Sequence, residues 1–414
     1  MNLLQISHLT QNIGQNHLNI SGSKSESNRL LVLKYLINKE WIESKNLSNS
    51  QDTQLMEKAL KSSDSVIDIH HAGTAMRFLT AYFAVQEGKE TILTGSSRMK
   101  ERPIGILVDA LRQLGAEIFY VENEGFPPLK IIGKKITKNQ VRLSANVSSQ
   151  YISALLLIGG FLENGLIISL EGQITSAPYL NMTIQMLNKI GIDAKWVDNQ
   201  TIQVLAFAKQ NKQMTIAVES DWSSASYLYS IVALAKEGSV TLETYYNDSL
   251  QGDKALVEIY KNYFNVQTEF LSNQIKLSKL NQPFPSKIEI DLNRCPDIAQ
   301  TILVTASALK IPFKLTGLHT LKIKETDRLT AMQNELAKCN VATQITNDSI
   351  ESLSFGELPK NATISTYNDH RMAMAFVPFI LQGINLMIEN PEVVEKSYPN
   401  FWKDMQELGF TSEK

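Results

Sequence analysis

The chain has 414 residues, 43% of them hydrophobic and 20% charged, an ordinary globular balance with length for about two or three domains and a large core. Its 40 Lys and Arg against 42 Asp and Glu leave a formal net charge of −2, so neither nucleic acid nor a membrane is expected as a partner, and any basic site must be a local concentration of cations. The two isolated cysteines, Cys295 and Cys339, have no CxxC spacing and read as packing residues in a reducing compartment.

The N-terminal stretch MNLLQISHLTQNIGQNHLNI has neither a basic segment nor an apolar core of the kind that directs secretion. The longest apolar run, ALLLIGGFL from Ala154, is far short of the ~20 residues that span a bilayer. The expected location is cytoplasmic.

Along the chain one phrase recurs: an amphipathic helix, a Gly or Asn stop, then a β-rich run. A weak copy is LMEKALKSSDSVIDI from Leu55. Clear copies are ILVDALRQLGAEIFYV from Ile106, NMTIQMLNKIGIDAKWV from Asn181, KALVEIYKNYFNVQTEF from Lys254 and LTAMQNELAKCNVATQI from Leu329, with FWKDMQELGF from Phe401 near the end. Apolar residues fall at i, i+3, i+4 and i+7, the helical period, and the Gly or Asn suits a left-handed C-cap. The copies mostly stand roughly 75 residues apart, beyond the solenoid range. Further strands lie between them, among them LNISGS, KETILTGS, LIISLEG, SVTLETYY and KIEIDL. Six helix-and-strand units fit two domains of three, α/β in composition but not a simple doubly wound array. No GxGxxG follows a strand and opens a helix, which argues against a dinucleotide enzyme.

Several stretches place cations or hydroxyls at a helix start, where backbone N–H groups favour an anion. SGSKSESNRLL, from Ser21, offers Lys24, Ser25 and Arg29 before an apolar helix predicted to begin near residues 25–28; it is not a GxxxxGK[ST] loop. HHAGTAMRFLTAYFA, from His70, sets Gly73 and Thr74 at a strand-to-helix junction with Arg77 on the first turn. The paired His70 and His71 point to opposite faces if extended, so no metal site is expected. SSRMKERPIGILVDAL, from Ser96, reads as a cationic patch of Arg98, Lys100 and Arg102, with Pro103 at a helix start. NVSSQYISALLL, from Asn146, caps a helix with Ser148, Ser149 and Gln150, and TSAPYLNMT supplies Ser176 and Tyr179 in a similar setting.

RCPDIAQTILVTA, from Arg294, sets Asp297 at a helix start. LKIKETDRLTAM, from Leu321, crowds Lys322, Lys324, Glu325, Asp327 and Arg328 at a strand-to-helix junction, where Lys324 beside Glu325 can tune a carboxyl for proton transfer. TYNDHRMAMAF carries Asn368, Asp369, His370 and Arg371 before a small-residue helix, and EKSYPNFW carries Lys396. Each has a bland alternative as capping or solvated charge. Together they suggest a site for several negative charges: two phosphates, or a phosphate with carboxylates. No GxSxG elbow, zinc spacing or EF-hand spacing accompanies them.

GSKSESNR, AGTAMR, RMKERPIGILVDALRQLGA, SSQ, KETDRL and NDHRMAM, in this order and spacing over nearly the whole chain, resemble the enolpyruvyl transferase family, and within it the branch whose acceptor is shikimate 3-phosphate. The resemblance implies a two-domain inside-out α/β barrel, each domain of three βαβαββ units, joined by a two-strand hinge and closing on substrate. One domain would be 22–221, the shikimate 3-phosphate side, and the other 1–21 plus 222–414. It implies addition of the 5-hydroxyl of shikimate 3-phosphate to C2 of phosphoenolpyruvate while C3 is protonated, then loss of phosphate from a tetrahedral intermediate. No metal or other cofactor is implied, and a monomer is expected.

By the same resemblance, Lys24, Ser25, Arg29, Ser148, Ser149, Ser176, Tyr179, Asp297 and Lys324 would hold shikimate 3-phosphate. Lys24, Gly73, Arg102, Gln150, Arg328, Arg371 and Lys396 would surround phosphoenolpyruvate. Asp297 would take the hydroxyl proton, Glu325 would give and take the proton at C3, Lys24 would assist both substrates, and His370 would support Glu325 or the phosphate. The chain departs from the family pattern at His71, often Asn, at Phe78, often Pro, and at Thr320, usually an Asn that helps hold the shikimate phosphate. Gly73 leaves room for phosphoenolpyruvate analogues such as glyphosate, with Phe78 packing behind Gly73 and Thr74. One alternative acceptor is UDP-N-acetylglucosamine, but enzymes of that branch usually carry a cysteine near RMKERP, and residues 91–105 contain none. A non-catalytic phosphometabolite-binding protein is the other alternative; it would be expected to lose Asp297 or Glu325, and both are present.

Overall fold

The structure is a computed structural model that describes residues 2–8, 10–145, 148–208 and 213–413; Asn146 and Val147 of the SSQ stretch lie outside the described residues. The chain divides into two compact units, Gly22–Val218 and Met1–Ser21 with Glu219–Lys414. The return to the second unit begins at Glu219 because the next residues are tied there. Ser220 N donates to Thr244 O at 2.9 Å and its Oγ to Ile20 O at 2.7 Å, while Asp221 N donates to Ser21 O at 3.2 Å.

Each unit is built from the same βαβαββ module. In the first, Val66–Asp68 runs parallel to Glu90–Thr94, which pairs antiparallel with Leu129–Ile132, itself antiparallel to Glu117–Tyr120. Gln140–Ser144, Leu166–Glu171, Thr201–Val204 and Ala194–Trp196 repeat that order. In the other unit Ile288–Asp291, Phe313–Thr316, Ile350–Phe355 and Val341–Ile345 do the same.

Two modules are completed from distant sequence. The N-terminal strand Asn12–Leu18 pairs in parallel with Glu237–Glu243, so a whole unit is inserted within one module. Leu3–His8 supplies the last strand beside Asn385–Glu389 and Phe410–Glu413. The sixth module is short. Met214–Ala217 and Ile42–Lys45 form a two-stranded parallel sheet, which no further described strand joins. The weak copy at Leu55 belongs here, and its terminal VID run opens the next sheet instead of closing this one.

Each complete module has two kinds of helix. The second, such as Gly105–Leu114 or Leu256–Phe264, buries one apolar stripe and exposes the other side. The first is buried nearly all round: Gly73–Ala84 and Ser149–Gly159 pack on each other, and Trp222–Leu234 packs on Ala299–Ala308. Sheets bury alternate residues and turn the other face outward, as in Leu166–Glu171. Helices therefore fill the centre of each unit and sheets form its wall, and each unit has its own apolar core. No described helix is long and apolar enough to cross a membrane.

Candidate active site

All but one of the inner helices begin at stretches singled out from the sequence; the exception is Trp222–Leu234. In the unit Gly22–Val218 the inner helices are Lys24–Ile37, Gly73–Ala84 and Ser149–Gly159; in the other they are Trp222–Leu234, Ala299–Ala308 and His370–Ala375. Their N-termini hold the candidate site residues and their apolar bodies build the core.

In the first unit Ser23 Oγ accepts from Glu26 N at 3.4 Å and caps the helix, which starts at Lys24, slightly earlier than expected. Lys24 Nζ lies 3.2 Å from Asp52 Oδ2. Arg29 is buried, with Nε donating to Thr183 Oγ1 at 2.7 Å, Nη1 to Ser25 O at 2.8 Å, and Nη2 to Ser153 Oγ at 3.0 Å and Tyr179 O at 3.4 Å. The Phe78 and Tyr179 rings flank it at 5.2 and 5.9 Å. The ring at position 78 thus supports Arg29. No carboxylate stands within ion-pair distance of Arg29 among the described residues, and burial lowers its pKa to about 10.

A Cβ at Gly73 would sit 2.5 Å from Arg102 Nη1, so that guanidinium would have to shift. The buried Arg102 guanidinium lies directly against the helix start. The expected three-cation patch does not form. Arg98 pairs with Glu101 at 2.8 Å and Lys100 with Glu122 at 2.6 Å, both at the surface, and only Arg102 turns inward. Pro103 precedes the N-cap Ile104 rather than opening the helix. Arg77 also turns inward, donating to Gly73 O at 3.2 Å and Pro103 O at 2.9 Å, so it braces the backbone. Gln150 Nε2 donates to Thr74 Oγ1 at 3.1 Å and ties two helix starts together. Ser148 Oγ accepts from Gln150 N at 3.3 Å, and Ser149 and Ser176 are buried, Ser176 with φ 55°.

The other unit centres on Arg328. Its buried guanidinium donates from Nε to Asp369 Oδ2 at 2.7 Å, from Nη1 to Asp297 Oδ1 at 3.1 Å, and from Nη2 to Glu325 Oε2 at 2.9 Å. One rigid fork therefore fixes both proposed proton carriers. Asp297 also faces Lys324 Nζ at 3.6 Å and Arg371 Nη2 at 3.4 Å. Burial by itself would raise the Asp297 carboxyl, but Lys324, Arg371 and Arg328 more than offset it and hold the group far below the usual carboxylate range. Burial opposes the charge on Arg328, yet Asp369 and Glu325 lock it on.

Asp369 is fully buried and caps its helix by accepting from Arg371 N at 2.9 Å. His370 Nδ1 stands 3.8 Å from Asp369 Oδ1, whereas the ion pair that fixes Glu325 comes from Arg328. Lys396 Nζ donates to Asn368 O at 2.6 Å, and Thr320 is buried with Oγ1 unpaired.

Three further acidic groups were not assigned from the sequence. Asp52 faces Lys24, and Asp369 anchors Arg328. Asp253 is buried, accepts from Ser223 Oγ, and is pushed up to about 7 by burial and by the nearby Asp297 charge. Ser223 also accepts from Arg371 Nη2 at 3.4 Å. DWSSAS opens the fourth inner helix, so the module position was the signal for Ser223.

Comparison with solved structures identifies the architecture as that of the enolpyruvyl transferases. An EPSP synthase from Acinetobacter baumannii superposes with a TM-score of 0.77 at 20% identity, covering 100% of both chains. The enolpyruvyl transferase NikO from Streptomyces tendae gives 0.73 at 11%, covering 99% of this chain and 98% of its own. The family model for EPSP synthase (3-phosphoshikimate 1-carboxyvinyltransferase) matches residues 57–405. The 3-phosphoshikimate 1-carboxyvinyltransferase of Bacteroides fragilis is 46% identical over 95% of both chains, and that of Haemophilus influenzae is 36% identical over 94% of this chain and 96% of its own. The chain belongs to the EPSP synthase family.

Proposed function

We propose that this protein transfers the enolpyruvyl group of phosphoenolpyruvate to the 5-hydroxyl of shikimate 3-phosphate, releasing phosphate and 5-enolpyruvylshikimate 3-phosphate for aromatic amino-acid biosynthesis. Family membership supports the substrate pair. The observation that carries the mechanism is the single guanidinium of Arg328 holding Asp297 and Glu325 together.

Asp297 takes the proton of the attacking hydroxyl as its oxygen bonds to C2 of phosphoenolpyruvate. Glu325, as the acid, protonates C3, converting the methylene to a methyl. The tetrahedral adduct then expels phosphate, which takes the proton held by Asp297, as Glu325 recovers a proton from that methyl, so both carboxyls end as they began. The cations that depress Asp297 are also anion ligands. A bound phosphate or carboxylate offsets their charge, raises the Asp297 pKa and makes it a better base. Arg328, Arg371 and Lys396, with Lys24, Gly73, Arg102 and Gln150, bind phosphoenolpyruvate. Lys24, Ser25, Arg29, Ser148, Ser149, Ser176, Tyr179 and Lys324 bind shikimate 3-phosphate, with Asp297 on the hydroxyl and His370 supporting the acidic cluster. Fixed cations stabilise the developing charge without a cofactor. The protein acts in the cytoplasm as a monomer, and the unit Gly22–Val218 is the shikimate 3-phosphate side.

Turnover in deuterium oxide tests the chemistry. Addition and elimination through a methyl group place deuterium at C3 of the product, and Glu325→Gln abolishes the labelling. An unlabelled product, or labelling that survives Glu325→Gln, overturns the assignment.

A further inference from the structure

Lys24, Asp52 and His71 form a chain of charges within the unit Gly22–Val218. The Asp52 side chain, on the helix Gln51–Lys61, is only 8% exposed. Its Oδ2 lies 3.2 Å from Lys24 Nζ, and its Oδ1 lies 3.6 Å from His71 Nε2. One carboxylate therefore serves two bases of different kinds. Lysine ammonium groups as a class keep their charge across neutral pH, whereas imidazoles gain and lose theirs there.

We propose that His71 is a positioning residue for Lys24: its protonation draws on the Asp52 charge and loosens the hold of Asp52 on the Lys24 ammonium, freeing it for the anionic substrate. This rests on the reading of Lys24 as a phosphoenolpyruvate ligand. With His71 neutral, the Lys24–Asp52 pair sums to zero charge and holds the ammonium back. With His71 protonated, the same three side chains carry one positive charge. Other charged groups border the turn. Arg102 lies against Gly73, two residues beyond His71. His70 and Asp68 make a separate, exposed pair at 4.0 Å, and Asp68 Oδ1 accepts from His70 N at 2.7 Å. Of these groups, His71 is the imidazole that shares a carboxylate with Lys24. The sign follows: attraction for phosphoenolpyruvate weakens as pH rises and His71 loses its proton.

The test is the Michaelis constant for phosphoenolpyruvate from pH 6 to 8 in the wild type and in His71→Asn, with His71→Gln as a second neutral variant. The ratio of wild type to variant cancels the ionisation of phosphoenolpyruvate itself. The KM ratio is expected to rise by about fivefold across that range, in keeping with one charge in a partly solvated site. The kcat ratio should change far less. A KM ratio that stays flat for both variants overturns the proposal.

Ring titration by NMR is an independent arm, with the His71 signal assigned by its loss in His71→Asn. Asp52→Asn should lower the His71 midpoint, and an unchanged midpoint also overturns the proposal. A wild type with no enolpyruvyl transfer from phosphoenolpyruvate refutes the functional reading instead, and the ring titration then decides the Asp52–His71 coupling by itself.

Discussion

Two arginines are equally buried, yet their replacement should have opposite consequences. Burial lowers the pKa of Arg29 from 12.5 to about 10, a cost to the charged form on the order of 3 kcal/mol. Its four hydrogen bonds return a similar amount at about 0.5–1.5 kcal/mol each. Three of its partners would not be orphaned, because Thr183 Oγ1 still donates to Tyr179 O at 2.9 Å and lies 3.0 Å from Ser153 Oγ. Arg29→Met should therefore leave the ligand-free melting temperature within about 3 °C of wild type. Arg328→Met removes the one guanidinium shared by Asp297, Glu325 and the fully buried Asp369. Breaking a buried network of this kind costs about 3–5 kcal/mol, or roughly 10 °C in a unit of this size. Thermal melting with and without shikimate 3-phosphate reads both effects, and Arg29→Met should also abolish the protection that ligand gives. An Arg29→Met protein that melts as early as Arg328→Met, or is still protected by the ligand, would refute the reasoning.

Other expectations follow from the same geometry. Gly73→Ala places a Cβ 2.5 Å from Arg102 Nη1 and must displace that guanidinium. Steady-state kinetics should show KM for phosphoenolpyruvate rising about tenfold or more with little change for shikimate 3-phosphate, an effect of one lost charged contact. Glyphosate should inhibit the wild type at millimolar concentration and the Gly73→Ala protein less. Asp253 is raised from 3.8 to about 7, so its contribution is fully present below pH 3.8 and is lost as pH rises through 7. Denaturation from pH 4 to 8 should show Asp253→Asn gaining on wild type as pH rises, by at most about 4 kcal/mol. Asp297→Ala should reduce kcat by about 10²–10⁴-fold while the folded protein still binds shikimate 3-phosphate, as measured by calorimetry.

The amphipathic outer helices were legible because one exposed side gives them a 3.6-residue period. Gly105–Leu114 and Arg328–Lys338 are examples. The inner helices have no such signal, since Ser149–Gly159 and Trp222–Leu234 are buried on nearly every side. The SSQ stretch marked the start of Ser149–Gly159 instead, whereas nothing marked the start of Trp222–Leu234. What stayed hidden depended on direction and distance. Arg98, Lys100 and Arg102 look equivalent along the chain, but a short helical turn over Ser97–Lys100 leaves the first two at the surface and turns the third inward. Asp253 and Asp369 have no role assigned along the chain until folding brings them to Ser223 and Arg328. The shortened sixth module could not be anticipated either, because its two strands, Ile42–Lys45 and Met214–Ala217, lie at opposite ends of their unit's sequence.

The most direct test is phosphate release from phosphoenolpyruvate by the purified protein without added metal, with shikimate 3-phosphate in one reaction and UDP-N-acetylglucosamine in another. Release with shikimate 3-phosphate alone, accompanied by the mass of 5-enolpyruvylshikimate 3-phosphate, is the predicted result. Release with the nucleotide sugar alone, or with neither acceptor, would contradict the account.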